Sequence, residues 1–303
     1  MPAGQSEKTS WENEIFIETP YIRNIENRAM MYLEAGFPVH LSGPSGTGKT
    51  SLALNIAKNM GRPVTLIHGN EDFSTTDLVG GNVGYRRKKV IDDYINYVHS
   101  ITESLQQQWL DGRITTACRN GHILIYDEFT RSRAEVNNIL LSILEEKTLS
   151  LPSFQNEGQD LKVHPQFKAI FTSNPVEYAG IHKAQVALSD RLITLELDDF
   201  DFDSEVAITA AKSGLDTEVA ERIVRVMRMF RETCGYPVVA SVRTSIKIAR
   251  VMSVHHLSPV SGEQTFGQVC IDILLSLIPG VSGREREKLV GLVEGIVDSC
   301  FQH

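Results

Sequence analysis

Cysteine is scarce. The four thiols, Cys118, Cys234, Cys270 and Cys300, are scattered and form no C-x-x-C pair. That pattern argues against a disulfide framework and a zinc ribbon, and suits idle thiols in a reducing cytoplasm. Long apolar runs are missing too, so no stretch reaches the length of a transmembrane helix. The opening MPAGQSEKTSWENE lacks the apolar core of a signal peptide, and residues 1–19 are expected to form a flexible polar lead-in. Positive charge is in deficit: 30 Lys and Arg against 38 Asp and Glu give a formal net charge of −8. That balance counts against nucleic acid or an anionic membrane as the main partner, while leaving room for a local basic patch. No internal repeat points to a solenoid. What remains is ordinary for a soluble globular protein, with 42% hydrophobic and 22% charged residues in a chain of 303, enough for one large domain or two smaller ones.

Against this plain background one stretch stands out. Leu41 to Ser51 reads LSGPSGTGKTS, the pattern G-x-x-x-x-G-K-[ST]. The apolar run from Pro38 to Leu41 leads in, and a helical run from Ser51 to Met60 leads out. This is the strand–loop–helix setting of a phosphate-binding loop. The loop comprises Gly43, Pro44, Ser45, Gly46, Thr47, Gly48, Lys49, Thr50 and Ser51. Its glycines let the backbone approach a phosphate, and successive N–H groups at a helix start attract the anion. Lys49 suits the β- and γ-phosphates, and the Thr50 hydroxyl suits Mg²⁺.

Along the chain, Ile22, Ile25, Ala29 and Leu33 mark a helix stopped near Gly36. Val64–Ile67 reads as a strand. Phe73–Val90 holds three glycines and the basic run Arg86, Arg87, Lys88 and Lys89, and reads as an irregular insert or hairpin. A helix is expected from about Ile91 to Leu110. Ile123–Tyr126 is a short buried strand ending in Asp127 and Glu128, and Ala134–Lys147 a helix. Residues 148–164 suggest a second hairpin insert, Phe167–Thr172 a strand ending at Ser173 and Asn174, and Leu192–Leu197 a last strand. Beyond Asp198 only helical stripes remain: Ile223, Val226, Met227 and Phe230; Ile246, Ala249 and Met252; Leu289, Leu292, Val293, Ile296 and Cys300. The expected organisation is an α/β nucleotide-binding domain over residues 20–198, built as an αβα parallel sheet, and a smaller all-helical domain over 199–303.

Asp127 and Glu128 at the end of a buried parallel strand would face the ligand crevice. Asp127 is the candidate Mg²⁺ holder and Glu128 the candidate for polarising the attacking water. Asn174, in FTSNP, is a candidate for orienting that water, although asparagine before proline is also a common turn residue. Arg191, Arg243, Arg131 and Arg133 are candidates for an arginine reaching a γ-phosphate from a neighbouring subunit, although an arginine taken alone is more often part of a surface ion pair. The run Arg86–Lys89 reads as a pore lining, a partner contact or a solvated face. His255 and His256 are adjacent, which is not metal-ligand spacing.

Taken together, these motifs resemble the AAA+ ATPases. Within that superfamily DEFTRSRAEVNNILLSILEEK, FTSNP, LSDRL and SVRTS resemble the MoxR-like group. GRPVTLIHG, DLVGGNVGYRRKKVIDDYI, YDEFTRSRAEVNN and VHPQFKAIFTSNPVEYAGIHKAQ are similar to its gas vesicle branch. The resemblance implies an AAA+ core followed by a helical lid, ATP with Mg²⁺ as cofactors, and a hexameric ring. It also implies a cytoplasmic location, free or on gas vesicles, and remodelling of shell or strengthening proteins as clients. It casts Asn174 as the first sensor, Arg191 as the arginine finger, Arg243 as the second sensor and Arg131 as an interface contact. Ser189 in LSDRL departs from the leucine usual there. The choice of ATP over GTP rests on the resemblance. Rival readings are a MoxR-like chaperone for metal insertion into another complex, a nucleotide-dependent switch without turnover, and a nucleic-acid motor.

Overall fold

The structure, a computed structural model, describes residues 16–94, 98–151, 160–175, 187–236, 241–257 and 264–301. The chain forms two compact units. One comprises Glu26–Gly43 and Leu52–Glu196. The other comprises Pro44–Ser51, Leu197–His303 and the described residues up to Ile25.

In the first unit, five parallel strands form a sheet in the order β2-β5-β8-β1-β9. They are β1 (Val39–Ser42), β2 (Val64–His68), β5 (Ile123–Asp127), β8 (Lys168–Ser173) and β9 (Ile193–Glu196). Register pairs Leu41 with Thr172 and with Leu195, and His68 with Asp127. β5 is buried at every position, as expected for a strand covered on both faces. Its Leu124 and Tyr126 join Phe129, Leu140, Ile143 and Phe171 in the core. The Phe129 ring meets Phe171 edge-on at 5.4 Å and His40 at 5.3 Å. Helices α2 (Lys49–Asn59) and α4 (Arg113–Asn120), a 3-10 turn (Phe129–Arg131), and α5 (Ala134–Asn137) and α6 (Ile139–Glu145) connect the strands. The continuous helix expected over Ala134–Lys147 is thus two pieces. Leu141 N reaches Asn138 O, a three-residue bond that tightens the chain there.

A larger correction concerns residues 91–110. After the short α3 (Thr75–Val79), β3 (Gly80–Tyr94) and β4 (Val98–Asp111) form a long antiparallel hairpin, paired from Gly80↔Asp111 to Tyr94↔Val98. No helix forms. The stretch is rich in Val, Ile and Tyr, residues that suit a pleated surface, and its pairing with β3 decides the outcome. The run Arg86–Lys89 lies mid-strand in β3, opposite Gln106, Leu105, Ser104 and Glu103. The second expected hairpin is present in its base, β6 (Thr148–Ser150) against β7 (Asp160–Lys162). Its residues 152–159 lie outside the described residues, as do most of 175–188 and residues 1–15 of the expected lead-in.

The second unit is helical: α7 (Phe202–Ser213), α8 (Thr217–Thr233), α9 (Val242–His255), α10 (Gln264–Leu275) and α11 (Arg284–Phe301). Ile223, Val226, Met227 and Phe230 of α8 are buried with Met252, Phe266, Leu274 and Val293. On α9, Ile248 rather than Ile246 joins Ala249 and Met252 in the core. Thr19, at the end of the expected lead-in, is buried. Its hydroxyl accepts from Ile22 N and from the Ser204 hydroxyl at 2.8 Å, tying the start of α1 (Pro20–Glu34) to α7. The carboxylate of Glu205 is buried and receives Arg228 at 2.6 Å and Arg231 at 3.2 Å.

Candidate functional site

The sheet order sets the C-terminal ends of β5, β8 and β1 side by side, and sequence places the candidate residues at those ends. Asp127 closes β5 and is buried. Its Oδ1 accepts from the Thr172 hydroxyl at 2.6 Å, and that same hydroxyl accepts from Glu128 N at 2.9 Å. Thr172 therefore bridges the carboxylate and the main chain of the acidic pair. Glu128 itself is left-handed, φ 50° and ψ 43°, a conformation that costs a non-glycine residue about 1–2 kcal/mol. It turns the chain from β5 into the 3-10 turn. Gly69 packs against this turn: its N–H donates to Asp127 O at 2.7 Å, and a Cβ there would lie 2.1 Å from Glu128 O. Arg131 pairs with Glu128 Oε2 at 2.8 Å. His68 Nδ1 lies 3.1 Å from Asp127 Oδ2, its ring largely exposed.

One strand over, β8 ends in Ser173 and continues to Asn174, both buried. Ser173 O accepts from Gly43 N at 3.3 Å, which joins the end of β8 to the first glycine of the phosphate loop. His40, on β1, is buried between two hydroxyls, 2.8 Å from Ser173 Oγ and 3.1 Å from Thr194 Oγ1. Burial pushes its pKa down to about 4, so the ring is neutral. Arg191 stands elsewhere in this unit. Its Nε and Nη2 donate to Glu145 Oε2 at 2.9 and 2.7 Å, and Nη1 to Ala187 O at 2.6 Å.

In the second unit, the phosphate loop meets helical residues that its sequence does not announce. Gly46 has φ 91°, and a Cβ there would fall 2.3 Å from Ser241 Oγ, so only glycine fits against the start of α9. Gly48 approaches Phe200, whose Cζ would be 3.4 Å from an added Cβ. Lys49 is buried, and its Nζ donates to Pro44 O at 2.6 Å. Thr47 donates to the same carbonyl at 3.0 Å. Arg243 is exposed in the first turn of α9, two residues after Ser241.

Asp127 and Thr50 each carry the kind of oxygen donor that suits Mg²⁺, a cation that takes few protein ligands and keeps water and nucleotide oxygens. Among the described residues no group of three or more His, Cys, Asp or Glu could hold a metal by itself. Thr172, Gly69, His40, Phe200 and Ser241 were not singled out by sequence. A serine opening a helix in SVRTS was the one available signal, and it points to a cap rather than to a phosphate loop.

Comparisons with known proteins bear on the family and the fold. The AAA domain (dynein-related subfamily) matches residues 38–192. The gas vesicle ATPase GvpN of Ancylobacter aquaticus is 45% identical over 272 residues, covering 90% of this chain and 76% of that protein. GvpN of Haloferax mediterranei is 41% identical over 273 residues, covering 88% of this chain and 76% of its own length. Among solved structures, NtrX from Brucella abortus in complex with ADP superposes with a TM-score of 0.55 at 14% identity, over 95% of this chain and 65% of that one, which bears on fold alone.

Proposed function

The chain belongs to the AAA domain family, dynein-related subfamily, and within it to the GvpN gas vesicle ATPases; from that premise we propose that it hydrolyses ATP at the interfaces of a hexameric ring and uses the cycle to remodel proteins of the gas vesicle. It is a nucleotide-binding ATPase. The clients in this reading are shell or strengthening proteins, met in the cytoplasm or on the vesicle, with the α/β domain ending near residue 198 and the helices after it acting as the lid. No helix among the described residues is long and apolar enough to cross a membrane.

The observation that carries the reading is the hydrogen-bonded pair at the end of β5. Thr172 holds Asp127 through its carboxylate and Glu128 through its main chain, so both acids are anchored at the end of β5. Asp127 and Thr50 would hold Mg²⁺, which would supply positive charge to the phosphate oxygens. The loop N–H groups of Gly43 to Ser51 bind the phosphates. Lys49 leaves the Pro44 carbonyl for the β- and γ-phosphates. Glu128 takes the proton of the attacking water, and Asn174 orients that water. Arg191, released from Glu145, reaches the neighbouring subunit's γ-phosphate, and Arg243 and Arg131 serve the same interface.

The test is ATP turnover by wild type, Glu128→Gln and Arg191→Ala, alone and mixed. Each variant alone is expected to be nearly inactive. In mixed rings some sites pair an intact Glu128 with an intact Arg191, so activity should partly return. Co-assembled mixtures that stay silent would remove the finger from Arg191, and normal turnover by Glu128→Gln would remove the base.

A further inference from the structure

β1 enters the phosphate loop through the run Val39, His40, Leu41, and all three side chains are buried. An imidazole is an expensive choice at such a place, since burying a polar group without partners costs several kcal/mol. Here the cost is met on both sides: Nε2 hydrogen-bonds to Ser173 Oγ at 2.8 Å and Nδ1 to Thr194 Oγ1 at 3.1 Å. His40 thus spans from its own strand to both neighbours, β8 and β9. Its ring also meets the Phe129 ring edge-on at 5.3 Å, immediately after Glu128. A leucine or valine would fill much of the same volume and would leave the buried Ser173 hydroxyl, and the more exposed Thr194 hydroxyl, without this partner.

Of these partners Ser173 matters most. It directly precedes Asn174, and its carbonyl already accepts from Gly43 N at 3.3 Å. The last residue of β8 is therefore fastened to β1 twice, once by main chain at Gly43 and once by side chain at His40. Two fastenings fix rotation as well as distance, and rotation about Ser173 is what aims the next side chain.

We infer that His40 is a positioning residue for ATP hydrolysis: through Ser173 it sets the orientation of Asn174 relative to Gly43. The inference rests on the reading of Asn174 as the residue that orients the attacking water. His40 touches neither nucleotide nor water in this scheme. It acts on the rate of the chemical step and leaves nucleotide affinity alone.

The test measures kcat and KM for ATP, with the Kd of a fluorescent ADP analogue, in His40→Leu, His40→Gln, Ser173→Ala, Thr194→Val and Asn174→Ala. His40→Leu and Ser173→Ala are expected to lower kcat about tenfold or more, while KM and the ADP Kd stay within about twofold, the split expected when orientation rather than binding is lost. The double variant His40→Leu/Ser173→Ala should be no slower than the slower single variant, because both remove one linkage. Thr194→Val should keep kcat within about twofold, since its hydroxyl does not adjoin Asn174. His40→Gln, able to reach one hydroxyl, should fall between wild type and leucine. If His40→Leu fails to fold, Ser173→Ala alone decides, and a wild-type kcat there overturns the inference. Losses that appear equally in ADP affinity also overturn it, because they mark a general loosening of the sheet. Asn174→Ala separates the two levels. If it turns over normally, the role of Asn174 is wrong and that of His40 goes with it. If it is inactive while Ser173→Ala is normal, only the role of His40 is wrong.

Discussion

Two carboxylates in the sheet-bearing unit are held in opposite ways. Asp127 is buried and fixed by a neutral hydroxyl, Thr172, which is itself fixed to the main chain of Glu128. Glu145 is exposed and holds Arg191 by charge. Hydrogen bonds in a dry interior are costly to break without a replacement. Exposed ion pairs exchange readily with water and contribute little. The contrast sorts the candidate residues into a fixed frame and arms held at the surface. The Glu128–Arg131 pair is mixed, with a main chain that is locked and a side chain on an exposed cation.

The sharpest way to break the fixed half is Gly69→Ala. The added methyl would lie 2.1 Å from the Glu128 carbonyl oxygen, so the main chain of the turn must shift. A loss of about 3 kcal/mol of stability, the upper end for overpacking, is expected in denaturant titration, together with loss of most ATP turnover. A variant with wild-type stability would show that the turn yields and that the frame is soft.

Next comes pH. An unfolded histidine titrates near 6.5, whereas burial lowers His40 to about 4, so the folded state binds this proton more weakly. Its contribution is fully present above pH 6.5 and is lost as pH falls toward 4, up to about 3 kcal/mol. Unfolding of wild type and His40→Leu across that window should give the wild type the steeper acid loss. Parallel curves would mean that the ring accepts its proton without disturbing Ser173 and Thr194.

The smallest effect is expected on the arms. Glu145→Gln should change unfolding free energy by less than about 0.5 kcal/mol, since Arg191 is paired at the surface and keeps the Ala187 carbonyl. A loss above about 2 kcal/mol would place Arg191 with the fixed set and count against its release toward a neighbour.

The legible parts of the sequence were those whose chemistry needs neighbours along the chain. A phosphate loop takes its glycines, lysine and threonine from one segment, and Asp127 and Glu128 are adjacent, so both announce themselves as motifs. Thr172, Gly69 and His40 serve the same ends through strand pairing, and their identity alone says nothing. Thr172 lies in an apolar run where threonine reads as a β-former, and Gly69 reads as a loop residue. Ser241 meets Gly46 only after the helices have packed. The hairpin was misread for a related reason. Between Ile91 and Leu110 apolar and polar residues fit both periods, and only pairing with β3 selects the strand.

That hairpin has a mechanical consequence. A strand of 15 residues spans about 50 Å, so a rotation of about 10° at Gly80 and Asp111 sweeps its far end through about 9 Å. A small hinge motion at the base is thereby amplified into a stroke several times the length of a hydrogen bond. A bare two-stranded ribbon is also compliant. A load placed on its outer end would bend the ribbon before it turned the base.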